Sequence, residues 1–489
     1  MPARSYRMYI DGKWVEAASG RSYALPNPAT EQTLATAPDG SRDDLRRAIA
    51  AARRAFDDGP WPRTTPRERS RVLERIALGL ERRKEEFRSL LVAAHAAEYM
   101  THPIQLDTAI AQIANYAELA LRFPFEELLP PVTATTAAGP KLVSSLAYHQ
   151  PVGVCGLVPT WNFPLYVTAQ KIGPALATGC TMVVKPSPWG PLIDLLLAEV
   201  VEECDLPPGV YNVVTGQSPE LGIELCENPG IDKLSFTGSV ETGKKVMAAA
   251  AGTLKRVHLE LGGKSAQIVL DDYDLGAAAP GAASPTFFHA GQGCAMTTRV
   301  LVQRARHDEL VEKMAGFVAA FVKPGDPVDP AVMLGPVIRE ERRRAIEGYV
   351  ASGREEGAEL VMGGGRPADL PRGYFLEPTI FANVRNDMRI ARAEIFGPVV
   401  SVIPFADEDD AVRIANDSSF GLYGGILTND PARGLELAKR LRTGGVSING
   451  ATNLLAAPFG GFKESGIGRE GGVFGMREFT EIQMLAWPS

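Results

Sequence analysis

From Gly153 onward the chain repeats one pattern three times: a short apolar run rich in β-branched residues, then a helical stretch. "GVCGLVP" leads to "LYVTAQKIGPALATG", "TMVVKPS" to "LIDLLLAEVVEEC", and "KLSFTGS" to "TGKKVMAAAAG". Such runs are too uniformly apolar for a sheet with one wet face, so they predict a parallel sheet covered by helices on both sides. A second series starts near Glu260, with "AQIVLDD", "RVLVQRA" and "VVSVIPF" as strands. At 489 residues the chain exceeds what one hydrophobic core fills, so two or three domains are expected. Upstream, "RMYIDGKWVEAASGRSYALPNPAT" reads as a hairpin about an Asp-Gly turn. Residues 42–122 follow helical periods, including "DDLRRAIAAARRAF", "ERSRVLERIALGLERRKEEFRSLLVAAHA" and "DTAIAQIANYAELALRF". Residues 129–149, rich in Thr, Val and Gly, predict an extended excursion from that helical layer.

Charge and cysteine usage narrow the function classes. A formal net charge of -7 argues against nucleic acid and against an anionic membrane surface as partners. No apolar run reaches the roughly 18 residues of a membrane span, and "MPARSYRMYIDGKW" lacks a signal-peptide core. The five scattered cysteines suit a reducing compartment, so a cytoplasmic protein is expected. The histidines form no pair at ligand spacing, and no metal site is expected.

Two phosphate-loop patterns fail on context. "GIGREG" (466–471) matches G-x-G-x-x-G, but it follows a turn-rich stretch and too little chain remains for a βαβ unit. "GGKS" (262–265) resembles the end of a P-loop, yet His258 stands where its first glycine belongs. "HAGQGCAMTTR" (289–299) is different: it isolates Cys294 among small and polar residues, as a passive loop thiol or an accessible nucleophile.

Seven motifs favour the nucleophile. "VPTWNFP" (158–164), "KPSP" (185–188), "FTGS" (236–239), "LELGGK" (259–264), "GQGC" (291–294), "EIFGPV" (394–399) and "PFGGFKESGIGRE" (458–470) resemble the serial motifs of the aldehyde dehydrogenase superfamily, in that family's order. The resemblance implies two doubly wound, Rossmann-like α/β domains plus a small β oligomerisation hairpin. It assigns 1–128 and 150–259 to a dinucleotide-binding domain, 260–464 to a catalytic domain, and 129–149 with 465–489 to oligomerisation. A homodimer or homotetramer is expected, because the apolar 129–149 segment and the tail "MREFTEIQMLAWPS" would otherwise leave exposed strand edges.

The resemblance also implies site residues. Cys294 would attack an aldehyde carbonyl, and Asn162 with the Cys294 N–H would hold the resulting oxyanion. Glu260 would activate water to hydrolyse the thioester, and Lys171 with Glu470 match a family pair linked to proton relay. Trp161, Lys185, Ser187, Gly238, Ser239, Leu261, Glu394 and Phe396 would bind the cofactor. The thiol chemistry further predicts surroundings that favour the thiolate, since a free cysteine is only a few per cent ionised at neutral pH.

Two departures stand out. Thr160 replaces the proline that many relatives carry before the tryptophan, which predicts a different angle for the Asn162 loop. Pro188 replaces a glutamate that repels a 2′-phosphate, so NAD is expected and NADP is left open. Rival readings are a CoA-acylating enzyme, against which Glu260 speaks, and a non-catalytic binding or structural protein on the same fold.

Overall fold

The computed structural model describes residues 4–94, 101–137 and 139–488. The expected helix over 68–96 therefore ends beyond the described residues, whose helix Lys84–Ala94 is its last part. Two helices of the N-terminal layer begin with reciprocal caps. Ser41 Oγ accepts from the Asp44 N–H while an Asp44 carboxylate oxygen accepts from the Ser41 N–H, and Thr65 and Glu68 repeat the arrangement. The hairpin Met8–Ile10 with Lys13–Val15 turns through Asp11 and Gly12, both at positive φ, as an Asp-Gly type I′ turn requires.

Among the described residues an eight-stranded sheet forms the first core. Its order is Gly466–Ile467, Arg256–Glu260, Lys233–Thr237, Val154–Val158, Thr181–Val184, Tyr211–Val213, Met8–Ile10, Lys13–Val15. The five strands from Arg256–Glu260 to Tyr211–Val213 run parallel, and the outer ones are antiparallel. Val154, Leu157, Met182, Val183 and Val184 are all fully buried, the two-sided burial that the apolar runs predict.

A second, seven-stranded sheet is parallel except at one edge. It runs Glu359–Met362, Thr379–Ala382, Val399–Phe405, Arg299–Gln303, Ala266–Val269, Gly424–Leu427, Ser447–Ile448. The short link 261–265 carries the chain from the last residue of one sheet's strand, Glu260, to the first strand of the other. The carboxyl ends of the first sheet thus meet the amino ends of the second.

The excursion is a long hairpin, Glu126–Thr136 with Gly139–Pro151, wider than the 129–149 expected. Residues 465–489, expected as one oligomerisation piece, divide. Gly466–Ile467 pairs with Leu259 and Glu260, where a Cβ on Gly466 would fall 1.9 Å from the Leu259 carbonyl oxygen, and helix Gly472–Glu478 packs on helix Pro164–Thr178. Only Thr480–Pro488 joins the hairpin, antiparallel to Gly139–Pro151. No helix among the described residues is long and apolar enough to cross a membrane.

Candidate active site

Cys294 lies on a loop between helix Leu275–Phe287 and strand Arg299–Gln303. The chain enters this loop through three successive left-handed residues, His289, Ala290 and Gly291. A Cβ on Gly291 would fall 2.1 Å from the Gly397 carbonyl oxygen, so the loop is pressed onto the 394–398 segment. Gln292 anchors it further: its Oε1 accepts from the Ile338 N–H at 2.8 Å, and its carbonyl accepts from Asn162 Nδ2 at 2.8 Å. Asn162 is itself held through its carbonyl, which accepts from Gln105 Nε2 at 3.0 Å. The Asn162 amide therefore reaches the nucleophile loop with Thr160 in place of proline.

Opposite the thiol, Gly263 approaches so closely that a Cβ there would sit 2.3 Å from the Cys294 carbonyl oxygen. Its N–H donates to Glu394 Oε1 at 2.9 Å. Burial, Glu260 and Glu394 all push the Cys294 thiol up, against only its own and Ala295's N–H groups. The surroundings of the ligand-free thiol thus disfavour the thiolate, contrary to expectation: burial above all, and then two carboxylates, outweigh two N–H dipoles. Glu260, 3% exposed, is pushed well above the carboxylate range by burial and by Glu470. A base with that bias takes a proton readily from a neighbouring thiol or water.

Beneath Glu260 lies a buried polar network. Lys171 Nζ donates to Glu470 Oε1 at 2.7 Å and to Ser235 Oγ at 2.9 Å. Glu470 is brought there by mutual backbone hydrogen bonds with Phe459, at 2.8 and 2.7 Å, which fold the 458–470 motif back on itself. Ser465 fastens that motif to the inter-sheet link: its carbonyl accepts from the Leu261 N–H, and its hydroxyl donates to the Gly262 carbonyl.

The remaining predicted residues line the carboxyl ends of the first sheet, as expected for a parallel sheet. Trp161 packs between the Trp189 and Phe396 rings, with centroids 5.7 and 5.5 Å away. Lys185 follows strand Thr181–Val184, and its buried ammonium, pushed down to about 8 by burial, donates to the Pro186 carbonyl at 3.3 Å. The Ser187 hydroxyl accepts from the Trp189 N–H at 3.3 Å. Gly238 and Ser239 open helix Val240–Ala250; Ser239 Oγ caps Thr242 N, so the first-turn N–H groups, rather than the hydroxyl, remain for an anion. Leu261 packs on that helix, where a Cβ on Gly243 would lie 2.6 Å from its Cδ2. Glu394 and Phe396 come instead from the amino end of the second sheet, with Phe396 at positive φ. Burial pushes the Glu394 carboxyl up to about 7. A nearly unpartnered ammonium, a helix N-terminus and a half-buried carboxylate suit a ligand with ribose hydroxyls and a pyrophosphate.

Residues 14–485 match the sequence profile of the Aldehyde dehydrogenase family. The chain belongs to that family. It is 40% identical over 486 residues to 3-succinoylsemialdehyde-pyridine dehydrogenase of a Pseudomonas species, covering 99% of this chain and 98% of that protein. Betaine aldehyde dehydrogenase of Bacillus subtilis is also 40% identical, over 98% of this aldehyde dehydrogenase and 96% of the relative. Among solved structures, a Mycobacterium tuberculosis aldehyde dehydrogenase complexed with NAD+ superposes with a TM-score of 0.93 at 42% identity, covering 99% and 98% of the two chains. Aldehyde dehydrogenase C of Pseudomonas syringae, a mutant complexed with NAD+ and octanal, gives 0.93 at 38% identity over 98% and 96%.

Sequence reasoning missed several residues that this aldehyde dehydrogenase gathers at the site. Gln112 Nε2 donates to Gln170 Oε1 at 2.6 Å, and Gln170 Nε2 donates to the Tyr166 hydroxyl at 3.0 Å. Tyr166 feels the charges of both Cys294 and Glu260. His258, which the sequence used only to reject a P-loop, touches the buried network through Ser235. The signal was present: His258 and Glu260 are two apart on one strand and so share a face.

Proposed function

We propose that this family member oxidises an aldehyde to its carboxylic acid with NAD+ as hydride acceptor, through a covalent adduct on Cys294. Glu260 removes the thiol proton as sulfur adds to the carbonyl carbon, giving a thiohemiacetal. The oxyanion is met by the Cys294 N–H and by the second Asn162 Nδ2 hydrogen, the first being engaged with Gln292. NAD+, when bound, would accept the hydride that leaves the thiohemiacetal carbon, so that a thioester remains on Cys294. Lys185 and the Val240–Ala250 helix start hold its ribose and pyrophosphate, Ser187, Gly238, Ser239 and Leu261 shape that end, and Trp161, Glu394 and Phe396 frame the other. Once its first proton has passed on through Lys171 and Glu470, Glu260 takes a proton from water as the water oxygen attacks the thioester carbon, and sulfur leaves as the thiolate as the acid is released. The same pair then carries that second proton away from Glu260.

The supporting observation is electrostatic adjacency. Burial first, then Glu260 and Glu394, push the Cys294 thiol up, so it stays protonated until a base takes its proton, while burial and Glu470 push Glu260 up towards holding one. We assign the units 1–128 with 150–259 to dinucleotide binding and 260–464 to catalysis. Pro188, three residues after Lys185, brings no carboxylate to repel a 2′-phosphate, so the reading is NAD with NADP left open. The free state of all five cysteines supports a cytoplasmic setting, and the exposed apolar strands of the hairpin sheet support a homodimer or homotetramer.

The test is kinetic. Cys294→Ala abolishes oxidation but keeps dinucleotide binding. Glu260→Gln releases one reduced dinucleotide per site, more slowly than the wild type because the thiol has lost its base, and then stalls as a thioester, visible by intact-mass spectrometry. Steady wild-type turnover by that variant removes Glu260 from the mechanism, and a strict requirement for CoA replaces hydrolysis with acyl transfer to a thiol.

A further inference from the structure

Three buried polar atoms face one another with no hydrogen-bond partner: His258 Nε2 and both carboxylate oxygens of Glu260. His258 is 1% exposed and pairs across the sheet with Ser235, just as Glu260 pairs with Thr237. Ser235 Oγ accepts from Lys171 and lies 3.2 Å from His258 Nδ1, and its single O–H is assigned as the donor to that nitrogen. Glu470 Oε1 is 3.6 Å from the same nitrogen, too far for a hydrogen bond. With Nδ1 as acceptor, the proton of the neutral ring sits on Nε2. Burial and the nearby Lys171, Lys233 and Arg469 keep the imidazole neutral.

That Nε2–H points at Glu260 Oε1 across 3.9 Å. Glycines face both groups and leave them free of side-chain obstruction: a Cβ on Gly468 would lie 2.3 Å from His258 Cδ2, and one on Gly460 2.8 Å from Glu260 Oε1. A modest rotation of Glu260 therefore pairs two orphaned groups at once and joins the base to Lys171 through a run of hydrogen bonds: Lys171 Nζ–H to Ser235, Ser235 O–H to His258, His258 Nε2–H to Glu260.

We propose that His258 is a positioning residue: its Nε2–H holds the Glu260 carboxylate, ionised, at the end of the Lys171–Ser235 network between its rounds of base catalysis. This rests on the reading of Glu260 as the base for thioester hydrolysis. It adds a residue that touches neither thiol nor aldehyde and acts only through Glu260. A donor to the carboxylate favours its charged form, so His258 opposes the upward push of burial and Glu470.

The test compares His258→Leu, His258→Asn and His258→Gln in the full chain. The glutamine amide extends to the Nε2 position, whereas the asparagine amide reaches only the Nδ1 side. Pre-steady-state formation of reduced dinucleotide reads acylation and correct folding together, and steady-state kcat reads hydrolysis. Expected for the leucine and asparagine variants are a burst near one per site, an unchanged KM for dinucleotide, and kcat lower by roughly ten- to hundred-fold. The pH limb of kcat for the ionised base moves upward, because a carboxylate without its donor ionises later. His258→Gln restores most of the rate and the limb. The other charged groups facing His258 (Lys171, Lys233, Arg469, Glu470 and Glu478) are unchanged in all three variants. Wild-type kcat and pH limb in His258→Leu overturn the proposal, as does a burst lost equally in all three variants, which marks a packing role. Normal turnover in Glu260→Gln is a separate result: it removes the base itself, whatever His258 does.

Discussion

Gly263 has no side chain because the backbone of the nucleophile loop occupies the place where one would be. A Cβ at 2.3 Å from the Cys294 carbonyl oxygen has to displace backbone, not a flexible side-chain end. Reacting groups misplaced by about 1 Å lose on the order of 100-fold in rate. Gly263→Ala therefore lowers kcat by about that factor with dinucleotide affinity retained, and wild-type kinetics in this variant disproves the close contact. The thiol offers a second residue-scale measurement. Glu394 is one of two carboxylates that raise the Cys294 thiol, so Glu394→Gln shifts that thiol downward. At pH 8 the ligand-free variant alkylates faster with iodoacetamide than the wild type does, followed by intact mass. An equal or slower rate contradicts the electrostatic account of Cys294. All three residues carry signals in the sequence, Cys294 and Glu394 within motifs and Gly263 within "LGGK". His258 does not, since its meaning depends on Ser235, which only the strand pairing brings beside it.

Helix Leu192–Glu202 buries a carboxyl that no cation neutralises in its shift. Asp194 is fully buried, accepts from the Thr168 hydroxyl of helix Pro164–Thr178 at 2.6 Å, and is pushed from 3.8 up to about 7 by desolvation. Its folded-state value lies above its unfolded one. Stabilisation by the protonated form is therefore complete below pH about 4 and is lost as pH rises towards about 7. Asp194→Asn removes that slope. Calorimetry across this window shows wild-type Tm falling relative to the variant, whatever the constant offset from the new amide; parallel curves refute the burial argument. The same helix shows why elements were legible. Parallel strands and their covering helices are buried on both faces, so they announce themselves as apolar runs. Tyr211–Val213, Ser447–Ile448 and Gly466–Ile467 are two or three residues long and carry no period to read. Their places are set by neighbours distant in sequence. The site inherits this: its motifs were visible one by one, but not that Cys294 and Glu394 approach from the amino ends of one sheet while Glu260 and Lys185 approach from the carboxyl ends of the other.

At the scale of the whole molecule, the three-stranded sheet of Thr480–Pro488, Gly139–Pro151 and Glu126–Thr136 is the part least able to stand alone in water. Pairing the tail with the hairpin satisfies one strand edge inside the chain, yet Ile482 and Met484 remain 66% and 68% exposed and Leu128 77%. Ile482 and Met484 are two apart on one strand, so they share a face and form the start of an apolar surface. Strand edges and apolar faces of this kind are covered in stable proteins, and a second copy of the chain presents the same surface for a self-complementary contact. Replacing both residues with aspartate puts two charges into that contact, where desolvating them without partners costs far more than the lost apolar area alone. Light scattering on the double variant then gives the monomer mass where the wild type gives a dimer or tetramer. The strand-pairing inside the chain is untouched, because both side chains point away from its hydrogen bonds. A wild-type protein that is monomeric at working concentration overturns the assembly itself, and a double variant that keeps an oligomeric wild-type mass places the interface elsewhere.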